Sequence, residues 1–174
     1  MGKKTLIVSL GFLLISIAYP VTLFQSDGPA VGQLAPNFTL PDQDRRMHDL
    51  RDYRGQRVLV YFYSKDDTPG CTREACGLRD SYAEYQALAV TILGISYDTP
   101  ESHREFKDKY DLPFDLLSDQ DKTTAEVYGT KGIFPLAARR SFLLDENGIL
   151  LKVIDDVDVT THSEEVLSYF RQLP

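Results

Sequence analysis

Residues 57–63, RVLVYFY, constrain the fold more than any other stretch of this chain. Val58 through Tyr63 are β-branched, aliphatic or aromatic without a break, so no polar side alternates with an apolar one. A run that short and that apolar reads as a central strand covered on both faces. Residues 64–70, SKDDTPG, end it, because Pro69 and Gly70 do not continue a strand. Beyond them, residues 71–89 carry Ala75, Leu78, Tyr82, Tyr85 and Leu88 at helical spacing. Cys71 therefore falls where a loop meets a helix N-terminus.

The remaining elements follow the same logic. Residues 90–97 (VTILGISY) read as a second buried strand, and 100–110 as a helix opened by Pro100 with Glu101 and Glu105 in its first turns. A short strand at 115–117 and a short helix at 122–128 are expected next. Residues 140–145 and 149–154 flank Glu146-Asn147-Gly148 as a hairpin, and 161–173 form a terminal helix with Val166, Leu167 and Phe170 on one face. That order implies an α/β fold with a mixed central sheet flanked by helices, as in the thioredoxin-like architecture.

The first residues are of another kind. Lys3 and Lys4 precede a run, 5–24, whose polar members are only Ser and Thr hydroxyls and the Tyr19 phenol. Two readings stay open for 1–24. Ser16 and Ala18 have the spacing a signal peptidase needs, and the run is also about as long as a bilayer span. In either case the lysines mark the cytoplasmic side, so the rest is expected to be exported, periplasmic or extracytoplasmic, with a membrane tether through residues 5–24 under the anchor reading. The segment has no Cys for a lipoprotein anchor. Residues 25–35 read as a linker and 36–174 as one domain. The net charge of −7, with basic residues scattered among acidic ones, argues against nucleic acid as a partner.

Cys71 and Cys76 are the only cysteines, five positions apart. In an intact helix such residues are about 8.6 Å apart at Cα. A disulfide needs less than about 7 Å. A bond between them therefore requires the first turn to unwind, which suits a switchable pair. Reactivity needs thiolate, and a free Cys with a pKa of about 8.5 is mostly protonated at neutral pH. A helix N-terminus and a nearby guanidinium both lower that value. Thr68 can supply a hydroxyl, and Pro69-Gly70 lets the chain turn so that backbone N–H groups point into the pocket.

Residues 61–80, YFYSKDDTPGCTREACGLRD, resemble the active-site segment of the atypical two-cysteine peroxiredoxins of the bacterioferritin comigratory protein, or PrxQ, type. The similarity reaches out to APNFTL at 35–40, to Ile95, Ser96 and Asp98, and to RRSFLLD at 139–145, covering nearly all of 33–174. By this resemblance Cys71 is the peroxidatic cysteine, Cys76 the resolving one, Thr68 the family's threonine, and Arg139 the arginine facing the thiolate. Arg140 is a rival for that last role, since neighbours on a strand face opposite sides. Ser64 departs from the family's Pro and implies a looser loop. The resemblance implies a peroxidase that reduces hydrogen peroxide and organic hydroperoxides through a Cys71 sulfenic acid and a Cys71–Cys76 disulfide. It also implies recycling by a thioredoxin-like protein and no metal, haem, flavin or other cofactor. With both cysteines in one chain, a monomer is expected.

Three other readings compete. Paired cysteines in exported proteins commonly form structural disulfides. A thioredoxin-like disulfide oxidoreductase would share fold and compartment, but that chemistry favours Cys-x-x-Cys, which this chain lacks. A tethered interaction module would keep the fold without activity. Glu74, Arg79 and Asp80 read as a solvated helix face or as groups that orient the site. His48, His103 and His162 read as surface histidines without metal-ligand spacing.

Overall fold

The computed structural model describes residues 28–132 and 136–174, so the expected signal peptide or anchor at 1–24 lies outside the described residues, as do positions 25–27 of the expected linker. Among the described residues no helix is long and apolar enough to cross a membrane.

Strand β3 (Arg57–Phe62) is the middle of a five-stranded sheet, ordered β5-β4-β3-β6-β7. It pairs in parallel with β4 (Val90–Ser96), which in turn pairs in parallel with β5 (Asp115–Ser118). On its other side it runs antiparallel to β6 (Arg140–Leu144), and β6 runs antiparallel to β7 (Leu150–Ile154). The sheet is mixed and carries helices on both faces, a thioredoxin-like fold. The alternation along β3 explains why its sequence has no polar side. Leu59, Tyr61 and Tyr63 enter one core with Ala75, Leu78, Tyr85, Val166, Leu167 and Phe170. Val58, Val60 and Phe62 enter the other with Phe38, Leu40, Ala125 and Tyr128.

The first core is roofed by α1 (Pro69–Asp80), α2 (Tyr82–Ala87) and α5 (His162–Arg171), with Phe106 of α3 (Pro100–Lys109) at its edge. The second is covered by α4 (Thr123–Val127) and the N-terminal strands. Tyr61, Tyr63 and Tyr85 are core residues and Tyr82 packs at the rim, as their positions imply.

Three boundaries differ from expectation. The single helix expected over 71–89 is two, broken at Ser81 (φ −100°, ψ 9°). Asp80 and Ser81 are residues whose side chains compete with the backbone, and apolar periodicity alone does not register a one-residue break. After the break, Tyr85 turns into the core and its hydroxyl donates to the Ser163 carbonyl at 3.1 Å. A second, two-stranded sheet of β1 (Thr39–Pro41) and β2 (Met47–Asp49) was not anticipated; strands of three residues are too short to carry an alternation signal. Asp42 closes its turn by accepting from the backbone N–H of Asp44 and Arg46 at 2.7 and 2.9 Å. Finally, residues within the expected linker are hydrogen-bonded into the domain. Gly32 N–H donates to Leu150 at 2.8 Å and Ala35 N–H to Gly148 at 3.0 Å, so regular pairing begins ahead of Pro36.

Tyr61, which backs the cysteine helix, sits directly across from Gly94 of β4. A Cβ at Gly94 would lie 2.8 Å from the Tyr61 ring and hydroxyl and 2.9 Å from Leu116, so the tyrosine needs that glycine for space. Gly94→Ala is expected to lower stability by about 1–3 kcal/mol in urea unfolding, as overpacking of a tight core does. An unchanged midpoint would show that Tyr61 can move at no cost.

Candidate active site

The loop between β3 and α1 is tied down residue by residue. Asp66 is buried and receives the Tyr63 hydroxyl on Oδ1 at 2.7 Å and the Ser102 hydroxyl on Oδ2 at 2.7 Å, with His103 Nδ1 2.9 Å from Oδ2. Its own N–H donates to Asp98 Oδ2 at 2.9 Å. Asp67 adopts a left-handed backbone (φ 55°), a conformation aspartate tolerates better than most residues, and is held by Lys109 Nζ and the Tyr110 hydroxyl, both at 2.6 Å. The loop is therefore anchored to α3, and the looseness implied by Ser64 is offset by these contacts.

From this anchor Thr68 takes the N-cap position of α1 without a side-chain capping bond, with Pro69 and Gly70 as the first helical residues and Cys71 as the third. The first N–H groups of a helix have no intrahelical partner, so those of Gly70 and Cys71 present positive potential at the cysteine. Cys71 is 2% exposed. Arg139, just before β6, donates from Nη2 to Cys71 Sγ at 3.2 Å and from Nη1 to Glu74 Oε2. Burial by itself pushes the Arg139 guanidinium down, but the Glu74 carboxylate and the Cys71 sulfur beside it more than offset this and hold it above its ordinary value. Gly70 lies against the guanidinium, where a Cβ would make an ordinary van der Waals contact with Arg139 Nη2 at 3.5 Å.

Of the two candidate arginines, then, Arg139 faces the cysteine. Arg140 turns away, donating to Asp155 and to the carbonyls of Tyr128 and Gly129. The Thr68 hydroxyl donates to the Lys65 carbonyl at 3.0 Å, so any further hydrogen bond at that oxygen is as an acceptor. Cys76 lies on the same continuous helix as Cys71, part-buried, and both thiols are free. This is the arrangement in which a disulfide between them requires unwinding.

Two expectations need correction. Glu74 is no part of a solvated face, since its side chain is fully buried. Positions 71, 74, 75 and 78 form one buried stripe of α1, and the spacing that placed Ala75 and Leu78 inside places Glu74 there as well. Likewise His103 and His162 are buried rather than on the surface; only His48 is partly exposed. His162 shares the inner face of α5 with Val166, Leu167 and Phe170, a stripe whose periodicity was visible. Its Nδ1 stands 3.1 Å from Glu74 Oε1, and its Nε2 is 2.9 Å from Ser141 Oγ. Tyr61 is also part of this surround. Burial first, and then the neighbouring Glu74 and Cys71 charges, drive its phenol well above the ordinary value, and its hydroxyl has no hydrogen-bond partner among the described residues.

Among the described residues one set of potential metal ligands clusters: Asp42, His48 and Asp115, within 4.8 Å of one another. These groups are already engaged. His48 contacts Asp42 at 2.9 Å and the Tyr53 hydroxyl, while Asp115 holds Lys107 Nζ and Gln43 Nε2, each at 2.8 Å.

Fold and site together define a class in which one buried cysteine at a helix N-terminus is held against a guanidinium. The AhpC/TSA family model matches residues 31–153. Over 148 residues the chain is 47% identical to the putative peroxiredoxin bcp of Coxiella burnetii, covering 79% of this chain and 95% of that one. It is 44% identical over 148 residues to peroxiredoxin Bcp of Escherichia coli K12, covering 81% and 95%. Among solved structures, peroxidoxin BcpB of Mycobacterium tuberculosis superposes with a TM-score of 0.78 at 29% identity, covering 83% of this chain and 97% of that one. The bacterioferritin comigratory protein of Xanthomonas campestris, described for its alkyl peroxide reduction activity, gives 0.72 at 29% identity, with 77% and 90% covered. This chain belongs to the AhpC/TSA family, within its Bcp/PrxQ peroxiredoxins, and is thereby a thiol-dependent peroxidase.

Asp66→Ala would leave the Tyr63 and Ser102 hydroxyls and His103 Nδ1 without their acceptor in a buried place. A loss of about 1–3 kcal/mol or more is expected in urea unfolding, the usual cost of stranding buried donors. An unchanged midpoint would show that the loop is not anchored there.

Proposed function

We propose that this protein reduces hydrogen peroxide and organic hydroperoxides to water and alcohols by a two-cysteine cycle within one chain. The observation that carries this reading is the 3.2 Å contact from Arg139 Nη2 to Cys71 Sγ at the third residue of α1. The guanidinium and the unpaired N–H groups of the first turn put positive potential and hydrogen-bond donors beside that sulfur.

The thiolate attacks the terminal oxygen of the hydroperoxide. An S–O bond forms, the O–O bond breaks, and the electron pair leaves on the other oxygen, the one that carries the organic group or, in hydrogen peroxide, the second hydrogen; it takes up a proton to become an alcohol or water. Arg139 keeps donors in reserve for the charge that develops on the leaving oxygen, and the Thr68 oxygen can accept the hydroperoxide's hydrogen. Cys71 is then a sulfenic acid. With the first turn of α1 unwound, the Cys76 sulfur attacks Cys71 Sγ, a disulfide forms, and the hydroxyl departs as water. A dithiol on a thioredoxin-like protein returns both cysteines to the reduced state by disulfide exchange.

The Lys3-Lys4 pair before the apolar run at 5–24 supports placing this activity outside the cytoplasm, on a domain either released after cleavage or tethered to the membrane. The reductant would then be an exported protein. Because the two thiols share one helix, the cycle closes within a monomer.

The test is stopped-flow oxidation of the reduced full-length protein by hydrogen peroxide, with mass spectrometry of the thiols. Cys71→Ser is expected to abolish oxidation, and Cys76→Ser to stop at a trappable sulfenic acid. Arg139→Ala should lower the second-order rate by about 10²–10³, the usual cost of removing one group that stabilises developing oxyanion charge. Turnover that survives Cys71→Ser, or oxidation no faster than that of a free thiol, would contradict the assignment.

A further inference from the structure

We propose that His162 is a positioning residue for peroxide reduction: it holds the Glu74 carboxylate that aims Arg139 at Cys71. This rests on the peroxidase reading of the site. Glu74 is fully buried and satisfies one oxygen with Arg139 Nη1. Among the described residues its other oxygen, Oε1, makes no aligned hydrogen bond, and neither does His162 Nδ1, yet the two atoms lie 3.1 Å apart. Two orphaned polar atoms in a buried place face one another, and a small rotation of the ring joins them. The far nitrogen of that ring, Nε2, is 2.9 Å from Ser141 Oγ in β6. With the serine hydroxyl donating to Nε2, the imidazole carries its hydrogen at Nδ1 and donates to Glu74.

The consequence concerns how one guanidinium is divided between two acceptors. A buried carboxylate with a free oxygen turns to take an arginine through both of its nitrogens, since that fork-to-fork pairing is the strongest available to it. Here such a turn would draw Nη2 off Cys71 Sγ. Occupying Oε1 from the other side, His162 keeps Glu74 monodentate and leaves Nη2 for the sulfur. The charged and titratable groups around the ring are Glu74 and Cys71 from α1, Arg139 from the segment before β6, and Tyr61 from β3, whose ring centre is 6.3 Å away. His162 touches no reacting atom.

Asparagine and glutamine separate the two ends of the imidazole. His162→Asn places an amide N–H where Nδ1 was, facing Glu74, and His162→Gln places one where Nε2 was, facing Ser141. In the full-length protein carrying Cys76→Ser, two readouts are taken: the pH dependence of Cys71 alkylation by iodoacetamide, and the second-order rate with hydrogen peroxide at neutral pH. His162→Gln is expected to move the alkylation midpoint to higher pH and to cut the peroxide rate about tenfold, the effect of one unit of thiol titration, while His162→Asn stays within about threefold of the parent. Equal effects of the two variants, or a His162→Gln protein that matches the parent, would overturn the proposal, because a merely structural histidine does not distinguish its two nitrogens in this way. If His162→Gln lacks a native near-ultraviolet circular dichroism spectrum, Ser141→Ala is used instead. It removes the hydroxyl whose donation to Nε2 fixes the ring hydrogen on Nδ1, so the imidazole is free to carry it on Nε2 and the donation to Glu74 weakens; the alkylation midpoint is expected to rise, and a parent-like midpoint would overturn the proposal. A parent that reacts with peroxide no faster than a free thiol would sink the peroxidase reading alone, and the alkylation arm would still decide the role of His162.

Discussion

A single guanidinium, that of Arg139, is shared between a carboxylate and a sulfur, and the arrangement of the site depends on that division. Glu74 is an acid taken wholly out of water, which is tolerable only beside a fixed cation. Cys71 is a thiol that must ionise to react, and it stands at the other nitrogen of the same cation. The surrounding elements are placed to make this possible. The end of β3 delivers the loop, α1 begins where its unpaired N–H groups meet the sulfur, and the approach to β6 brings in the arginine from across the sheet.

The same helix has to be both firm and breakable. In the reduced state α1 is continuous from Pro69 to Asp80 and holds the two cysteines too far apart to bond. At its start Pro69 and Arg73 are exposed and Gly70 and Thr72 half-buried, so unwinding residues 69–74 takes only Cys71 and Glu74 from fully buried positions. Upstream, Asp66 and Asp67 pin the loop to α3, and downstream Leu78 is buried against the sheet. Movement is thereby confined between two fixed points.

The scaffold was legible because β3 has an unambiguous sequence: a fully apolar run closed by a Pro-Gly loop admits little except a central strand followed by a helix. The order of the later elements followed from the same kind of pattern. The position of Cys71 at a helix N-terminus was legible through spacing, whereas the approach of Arg139 to its sulfur was suggested only by the resemblance to a known family. Glu74 and His162 were not, although each occupies the apolar stripe of its helix, because a charged or ionisable residue at a core position reads by default as surface. What makes them internal is a partner from elsewhere in the chain, Arg139 for one and Ser141 for the other, and one-dimensional patterns do not pair such residues. The break at Ser81 and the three-residue strands β1 and β2 escaped for a plainer reason, being shorter than the periods by which elements are recognised.

Amide hydrogen exchange of the full-length protein, followed by mass spectrometry before and after one equivalent of hydrogen peroxide, tests most directly whether a firm reduced helix gives way on oxidation. If Cys71 is held by the N-terminus of an intact α1 and then released to reach Cys76, peptides covering residues 69–77 will lose protection on oxidation while those of β3 keep theirs. An intramolecular disulfide formed with no loss of protection over 69–77 would contradict the account.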